Sequence, residues 1–334
     1  MAEEKMKIRY GIIGSGFRAE MYMRLAKKMP DTFEVTSVLV RNDEKVQHIQ
    51  NTFGLPVTKS GKVFLASRPD FVVDAVSKDN GFKVLSEYVH KSIPVLTETP
   101  SGLTVSQLQK VWQYLQKGAK IQTAEQYQFY PYYKKLIELC RSGIIGDVQS
   151  ALLSCVHDYH AASIGRLLLG VKGKTFSVFG RTYTHPIVET DSRYGWITDG
   201  RIADKQRSSI TIEFDGNKQL FYEFSPVQYR SRIRSSSVIV YGERGEIHTK
   251  NILYVTQDNS VHAEEIHWDV PKDCTEDDVA VSYCLRGMKK YVETGEEFYP
   301  MREALEDAYI SILMSNAVQT GKTVHSKPQV WEQF

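Results

Sequence analysis

The chain has 334 residues, enough for two domains of ordinary size, with 42% hydrophobic and 25% charged residues and a formal net charge of +2. The basic residues are scattered, so the composition does not indicate a nucleic-acid or membrane-surface partner. No run of about 18 apolar residues occurs, the first residues are polar, and the four cysteines are far apart without a CxxC pair. We therefore expect a cytoplasmic protein with reduced cysteines and neither a disulfide framework nor a zinc site.

The first element is an alternating apolar run, residues 6–13, that leads into a glycine turn and then into apolar residues at four-residue spacing. This order predicts strand, tight turn and helix. Gly14 would allow the sharp turn, Gly16 would let a pyrophosphate approach the main chain, and Ala19 would keep the helix close to the strand. The N–H groups of the helix start would face the anion. The predicted cofactor-binding residues here are Gly14, Ser15, Gly16, Phe17 and Arg18; the alternative is a plain glycine turn.

Strand and helix patterns then alternate as far as about residue 125. Apolar runs at 33–40, 71–76, 94–97 and 121–124 are typical of strands buried on both faces of a parallel sheet. We therefore predict a doubly wound α/β domain over residues 1–125. In such sheets the ligand lies beyond the carboxyl ends of the strands. The same rule places Arg41, Ser77, Glu98, Thr99, Pro100, Glu125, Gln126 and Tyr127 along that edge.

The second half of the chain has a different pattern. A helix is predicted over Pro131 to Ser142, followed by short β-rich runs separated by turn residues and by two helices near 275–293 and 301–320. Residues 126–334 therefore form an α+β domain with a large, mainly antiparallel open sheet. An open sheet with an apolar outer face predicts a homodimer or homotetramer through that sheet.

The end of the second strand bears on the choice of nicotinamide cofactor. An acid at this place would bind the ribose 2′-hydroxyl, whereas this chain has Arg41, which can meet a 2′-phosphate. NADP is favoured over NAD. The alternatives are that Arg41 is a solvated loop charge and that Asp43 takes the acidic role.

Four features together carry a resemblance to a known family. They are the leading GxGxxA unit, the Glu98-Thr99-Pro100 tripeptide, the turn from Gly143 to Gly146, and a histidine at a strand-to-helix junction. The chain resembles the Gfo/Idh/MocA family, named after glucose-fructose oxidoreductase, inositol dehydrogenase and a rhizopine-catabolism protein. The resemblance implies a Rossmann domain with an open-sheet second domain, a nicotinamide cofactor, and oxidation of a sugar or cyclitol hydroxyl.

The chain departs from the family pattern at both of its sites. The family tripeptide is Glu-Lys-Pro, and the position of its lysine, thought to hold or deprotonate the reacting hydroxyl, is Thr99, which offers neither a cation nor a base near neutral pH. Lys78 is a candidate replacement, with a solvated loop lysine as the alternative. In the family's histidine motif, His160 is kept while Val156 and Ser163 stand at the acidic positions.

His160 is the predicted general acid/base, because an alcohol that gives up a hydride must also lose a proton and imidazole titrates near neutral pH. His157 and Tyr127 are possible assistants, as is Tyr159, while Asp158 would fix a ring tautomer or cap the helix. The alternative is that Asp158 is only the N-cap and that the histidines are packing residues. A metal at the HxxH spacing is not expected, since no third ligand is evident. The polar and aromatic loop over residues 190–196 is a candidate carbohydrate contact or oligomer contact.

The sequence thus predicts an NAD(P)-dependent oxidoreductase that acts on a CH–OH group of a sugar or sugar-like polyol. One alternative retains the cofactor and uses it in a redox-neutral lyase or glycosidase reaction. The other is a catalytically silent NAD(P)-binding sensor, which would bind cofactor without turnover.

Overall fold

The computed structural model describes residues 7–192 and 195–332, which form two compact units. The first unit consists of the chain up to Pro131 together with Val270–Ala308. The second consists of Tyr132–Asp269 and the chain from Tyr309 onward. After the second unit the chain thus returns to the first unit. A single division of the chain at residue 125 does not describe this arrangement.

The helices begin and end close to the predicted positions. In chain order they are α1 (Phe17–Lys28), α2 (Asp43–Phe53), α3 (Gly61–Ala66), α4 (Lys78–His90), α5 (Val105–Gln116), α6 (Pro131–Ser142), α7 (Asp158–Leu169), α8 (Glu276–Thr294) and α9 (Met301–Thr320). Two short 3-10 helices, Tyr127–Phe129 and Pro226–Arg230, lie between them. The bounds of α6 agree with the sequence prediction because Pro131 starts the helix and the apolar face formed by Tyr133, Leu136, Ile137 and Cys140 is buried.

A six-stranded parallel sheet forms the centre of the first unit. Its strands are β1 (Ile8–Ile13), β2 (Phe33–Leu39), β3 (Val57–Thr58), β4 (Phe71–Asp74), β5 (Val95–Thr97) and β6 (Ile121–Thr123). Their spatial order is β3-β2-β1-β4-β5-β6, so the strand order reverses between β1 and β4. Ligands of such sheets bind in the crevice beyond the carboxyl ends of the strands at that point.

Both faces of this sheet are covered, which explains its continuous apolar strands. Tyr10 and Ile12 of β1 pack in a cluster with residues of α1 and α8, such as Leu25 and Leu285. The other face packs against α3 and α4, where Phe64 is completely buried. Each such buried side chain contributes about 2 kcal/mol to stability. The predicted doubly wound domain is confirmed, with α8 as an added layer.

A mixed, mostly antiparallel sheet of nine strands forms the second unit. Its strands are β7 (Val148–Ser154), β8 (Phe176–Val188), β11 (Ile202–Phe214), β12 (Lys218–Phe224), β13 (Ser237–Gly242), β14 (Gly245–His248), β15 (Asn251–Val255), β16 (Val261–Glu265) and β17 (Val324–His325). The spatial order is β16-β15-β14-β13-β7-β12-β11-β8-β17, and β7 and β12 are parallel. The strands β9 (Asp191–Ser192) and β10 (Gly195–Trp196) pair separately. The predicted fold class is confirmed, although β8 and β11 are longer than expected and β14 was missed.

One face of the second sheet carries α7. A Cβ at Gly165 of α7 would lie 2.4 Å from the Leu220 side chain of β12, so a larger residue would push the helix off the sheet. This close contact fixes the start of α7, where the candidate histidines lie. In the described part of the chain no helix is long and apolar enough to cross a membrane.

Candidate active site

Gly14 makes the turn between β1 and α1. Its backbone φ is +122°, and a Cβ placed there would be 2.4 Å from the carbonyl oxygen of Ala75. The dihedral angle and the contact both exclude a side chain. The structure therefore has the predicted sharp turn, and it adds a second cause, the close approach of the chain leaving β4.

Gly16 is the N-cap of α1 and leaves open space beside its backbone. No atom lies within 4 Å of the position that its Cβ would take. The first hydrogen bond within the helix runs from Glu20 N–H to the Gly16 carbonyl, 3.0 Å, and earlier N–H groups of a first turn point out of the helix. Ala19 is completely buried, as predicted for its packing position. This cradle fits a pyrophosphate at the positive end of the helix dipole.

The side chain of Arg18 is bound to Glu98 through two contacts. Nε and Nη2 of Arg18 each lie 3.0 Å from a Glu98 carboxylate oxygen, and the Tyr22 hydroxyl donates to the same carboxylate at 2.5 Å. Burial alone lowers the pKa of Arg18, but the negative charge of Glu98 more than offsets this, and the pKa is raised well above its ordinary value. What Arg18 presents at the start of α1 is thus its backbone N–H, and its contact with a cofactor stays a prediction.

The end of β2 presents a cation without an acidic partner in the described structure. Arg41 is exposed, and Asn42 is the N-cap of α2, accepting a hydrogen bond from Lys45 N–H at 2.9 Å. Asp43, the alternative ribose ligand, forms a 2.6 Å ion pair with Lys59. The local geometry leaves Arg41 available to a phosphate.

The ends of β4 and β5 place the other predicted cofactor residues at the same edge. Ser77 is the N-cap of α4, and its hydroxyl accepts a hydrogen bond from the Asn80 side-chain amide at 2.8 Å. Lys78 follows and is exposed, with no ion pair in the described residues. Thr99 and Pro100 are half-buried, joined by a cis peptide bond, directly after Glu98. Lys78 therefore has the surroundings of a solvated lysine.

Two buried carboxyl groups lie at this edge; the sequence placed Glu125 here, whereas Asp74 escaped the prediction. Asp74, the last residue of β4, is 1% exposed, and burial raises its pKa to about 8 although the Val76 backbone N–H opposes the rise. Glu125, just after β6, is completely buried, and burial raises its pKa well above the ordinary value. Acidic residues at strand ends are a weak signal, because a strand pattern does not reveal how deeply an end is buried.

Tyr127 opens the 3-10 helix that follows β6. Its ring lies 5.0 Å from that of Tyr130, whose hydroxyl donates to Asp277 of α8. Tyr127 is half-buried. Its proposed hydrogen bond to a substrate stays a prediction.

The histidine junction, residues 157–160, connects β7 to α7 in the second unit. His160 is buried, with 5% of its surface exposed, whereas His157 is half-buried. The ring centres of the two histidines lie 5.0 Å apart, and the ring of Tyr159 lies 5.7 Å from that of His160. The structure thus brings together the ionisable residues that the sequence pattern singled out.

The Tyr229 hydroxyl holds His157 in place. It accepts a hydrogen bond from the His157 backbone N–H at 3.1 Å and lies 2.6 Å from Nδ1 of the ring. The tautomer of the His157 ring decides whether the Tyr229 hydroxyl donates to Nδ1 or accepts from it. Sequence reasoning missed Tyr229, since it lies 72 residues away in an unremarkable stretch.

The predicted capping role of Asp158 is wrong. The N-cap of α7 is His157, and Asp158 is the first helical residue, with a φ of +27°. Its backbone N–H donates to the Tyr222 hydroxyl at 3.2 Å, and that hydroxyl contacts its carboxylate at 3.3 Å. Asp158 is therefore paired with Tyr222, and Tyr229 contacts the ring of His157.

The polar and aromatic loop over residues 190–196 is only partly described, because Arg193 and Tyr194 lie outside the described residues. Trp196 is 71% exposed, and Thr190 accepts a hydrogen bond from the Arg232 backbone N–H at 3.0 Å. For residues 7–192 and 195–332, no group of three His, Cys, Asp or Glu side chains has a geometry that could hold a metal ion.

The sequence of the first unit is similar to a known family. A profile of the Gfo/Idh/MocA family, described as an oxidoreductase family with an NAD-binding Rossmann fold, matches residues 8–126. Residues 8–126 thus match the Gfo/Idh/MocA family. The match spans the glycine turn, Arg41, Ser77 and the Glu98-Thr99-Pro100 tripeptide, so these residues lie in the part of the chain that is similar to an NAD-binding Rossmann fold.

Solved structures have the same fold over nearly the whole chain. An oxidoreductase from Agrobacterium radiobacter in complex with NAD+, L-tartaric acid and magnesium is 12% identical, with 96% of this chain and 98% of that chain covered and a TM-score of 0.75. A myo-inositol dehydrogenase from Corynebacterium glutamicum is 14% identical, with 97% and 100% covered and a TM-score of 0.68. An oxidoreductase from Thermotoga maritima is 19% identical, with 96% and 98% covered and a TM-score of 0.70.

At these identities the similarity to solved structures establishes the fold alone. No curated protein sequence is significantly similar to the chain.

Proposed function

We propose that this protein oxidises a CH–OH group of a sugar or sugar-like polyol with NADP or NAD, and that His160 is the general acid/base. The observation that carries this proposal is the buried His160 imidazole at the start of α7, in a chain whose first unit is similar to an NAD-binding oxidoreductase domain. The myo-inositol dehydrogenase fold neighbour supports a polyol substrate.

The first unit supplies the binding and orientation of the cofactor. Gly14 and Gly16 leave room for the pyrophosphate, and the N–H groups at the start of α1 stabilise its charge. When bound, a nicotinamide cofactor accepts the hydride that leaves the carbinol carbon. The buried Arg18, Glu98 and Tyr22 network holds α1 against the end of β5, so that this edge is pre-organised.

The histidine junction supplies the proton transfer. As the hydride leaves the carbon, the hydroxyl proton passes to the His160 imidazole, and in the reverse reaction the imidazolium returns it to the carbonyl oxygen. His157 packs beside His160 and is itself oriented by Tyr229. This arrangement offers a histidine pair through which the proton can continue toward the half-exposed side of the junction.

Thr99 favours a second candidate function. The hydroxyl of Thr99 cannot provide the cation of the family's Glu-Lys-Pro lysine, and exposed Lys78 shows no contact that would replace it. This change would be tolerated by a protein that binds the cofactor without net reduction of it. Such a protein is either a sensor or a redox-neutral lyase or glycosidase. The two functions differ in whether reduced cofactor accumulates with a substrate.

Replacement of His160 tests the leading proposal. The change His160→Ala should abolish cofactor reduction across a panel of sugars and polyols while cofactor affinity, measured by fluorescence titration, stays within about twofold. His262→Ala, in the exposed strand β16, is a matched control that should keep full activity. Undiminished turnover in the His160 variant would remove the assignment, and cofactor binding by the native protein without any reduction would support the sensor or redox-neutral function.

Cofactor preference is tested at Arg41. Arg41→Ala should weaken NADP binding about tenfold and leave NAD binding nearly unchanged, because only NADP carries the 2′-phosphate. Lys45→Ala, one turn further along α2, controls for the general loss of a positive charge. Equal weakening for both cofactors would contradict a phosphate contact.

We also propose that the open face of the second sheet forms a homodimer or homotetramer. The exposed side chains Phe179, Tyr183, Tyr241 and Leu253 lie on one face of that sheet according to the strand register. Sedimentation of the native chain should give a dimer or tetramer, and Phe179→Glu with Leu253→Glu should shift it to a monomer. A native monomer at micromolar concentration would contradict this surface.

A further inference from the structure

Three arginines follow closely on the tyrosine that holds His157. Tyr229 lies in the 3-10 helix Pro226–Arg230, and Arg230, Arg232 and Arg234 stand at alternate positions from there on. We call residues 230–234 the arginine segment. Because the Tyr229 hydroxyl lies 2.6 Å from His157 Nδ1, the arginine segment begins directly beside the histidine junction.

Thr190 and Trp196 contact the same segment. The Arg232 backbone N–H donates to Thr190 Oγ1 at 3.0 Å, and the Arg232 guanidinium lies 4.4 Å from the centre of the Trp196 ring. An aromatic face holds a guanidinium in place without neutralising its charge, and the N–H fork stays available at the edge of the plane. Arg232 is therefore held by two contacts, one through its backbone and one through its guanidinium, and it keeps its positive charge.

Within the described residues, no carboxylate oxygen lies within 4.0 Å of a guanidinium nitrogen of Arg230, Arg232 or Arg234. Of the neighbouring acids, Asp158 accepts a hydrogen bond from Tyr222 and Asp191 accepts one from Ser192 N–H, while two glutamates pair with other cations. Glu189 binds Arg201 and Lys205, and Glu223 binds Arg207. Three like charges within five residues repel one another unless an anion joins them, so the site has an unmatched positive potential.

Arginine in place of lysine is informative about the anion. The planar guanidinium presents paired N–H donors that match two oxygens of a carboxylate or phosphate, whereas a neutral polyol gains little from it. A solvated surface loop would serve as well with lysine, and it would need neither the Trp196 ring nor the Thr190 hydrogen bond.

We infer that the substrate carries an oxyanion group, a carboxylate or a phosphate, which the arginine segment binds while the reacting hydroxyl lies at the histidine junction. This inference rests on the proposed function and refines its substrate class from a neutral sugar to an acidic or phosphorylated one. Arg230, Arg232 and Arg234 are the residues that determine the specificity.

The test measures binding by titration calorimetry of three probes to the cofactor-saturated protein: D-glucose, D-gluconate and D-glucose 6-phosphate. At least one anionic probe should bind about tenfold or more tightly than D-glucose, and this preference should weaken with added salt. The triple variant Arg230→Gln, Arg232→Gln, Arg234→Gln should lose the preference. Arg141→Gln, which removes an exposed arginine of α6, should keep it.

A triple arginine-to-lysine variant separates misfolding from loss of recognition, since it keeps the charge and should retain an intermediate preference. Preference for gluconate alone identifies a carboxylate, and preference for the phosphate ester alone identifies a phosphate. The inference is overturned if neither anion binds better than D-glucose, or if the glutamine triple variant keeps the preference.

The outcome can be told apart from that of the proposed function by following reduced nicotinamide absorbance in parallel. Arginine-dependent binding of an anion that is never oxidised would contradict the proposed oxidation and support the inference. Oxidation of a neutral sugar that is unchanged in the glutamine triple variant would support the oxidation and overturn the inference.

Discussion

Arg18 forms an ion pair with Glu98 through two nitrogen-to-oxygen contacts of 3.0 Å each, and the two residues are 80 positions apart in the sequence. The pair joins the first turn of α1 to the tripeptide that follows β5, and the Tyr22 hydroxyl completes it. The side chains are 25% and 15% exposed, so water screens the pair only in part. It connects the pyrophosphate cradle to the position where the family lysine is missing.

Removal of Arg18 should therefore destabilise the first unit. Arg18→Gln leaves the Glu98 carboxylate mostly buried with the Tyr22 hydroxyl as its remaining partner, and urea unfolding should show a loss of about 2 kcal/mol. Lys91→Gln breaks the exposed pair with Glu87 and should change the free energy of unfolding by less than about 0.5 kcal/mol. Equal losses in the two variants would show that the Arg18 pair has no special role.

Alanine substitutions at the two turn glycines should separate folding from cofactor binding. Gly14→Ala has to accommodate a Cβ 2.4 Å from a backbone oxygen at a φ of +122°, and should cost about 3 kcal/mol or more of stability. Gly16→Ala meets no atom within 4 Å and should unfold like the native protein. Its cofactor affinity, measured by fluorescence titration, should nevertheless fall about tenfold, because the methyl group stands where the pyrophosphate approaches. Native affinity in the Gly16 variant would contradict the cradle.

Asp74 should make stability depend on pH. Its pKa is about 8 in the folded state against an ordinary value of 3.8, so folded chains bind more protons between these values. The contribution of Asp74 is fully present below the ordinary pKa and is lost as the pH rises to about 8, with a slope of about 1.4 kcal/mol per pH unit at most.

The change Asp74→Asn should flatten this dependence and make the protein more stable than the native chain at pH 8, as followed by urea unfolding at several pH values. Asp79→Asn, an exposed acid in the first turn of α4, should leave the slope unchanged. Burial also raises the pKa of Glu125. A pH dependence of the free energy of unfolding that persists in the Asp74 variant is therefore assigned to Glu125. A slope unaltered by Asp74→Asn would show that the carboxyl is ionised in the folded protein.

Tyr229 should act as a positioning residue for the histidine junction. Tyr229→Phe removes the 2.6 Å contact with His157 Nδ1, so kcat should fall about five- to tenfold and the pH profile of kcat should shift, while cofactor affinity is unchanged. Tyr254→Phe on β15 removes an equally short bond to Glu264 of β16 and should leave kcat and its pH profile as they are. A native pH profile in the Tyr229 variant would show that its bond is purely structural.

The glycine turn and the helices were open to prediction because their causes are local. A strand followed by Gly14, Gly16 and Ala19 has few structural solutions, and the four-residue periodicity of α6 reports which face is buried. The histidine junction was found for the same reason, since His157 and His160 lie within four residues of each other.

The decisive partners of those residues depend on tertiary structure. Arg18 meets Glu98, His157 meets Tyr229, and Arg232 meets Trp196 across 36 to 80 residues, through strand order and loop paths that no short pattern encodes. The predicted capping role of Asp158 failed because the N-cap of α7 is His157, and the Asp158 carboxylate instead accepts a hydrogen bond from Tyr222 on β12, the parallel neighbour of β7. The sequence by itself determined the strand, glycine turn and helix that open the first unit; only the tertiary structure decided which side chains hold that turn and the histidines in place, since burial and long-range contacts arise when the chain is folded.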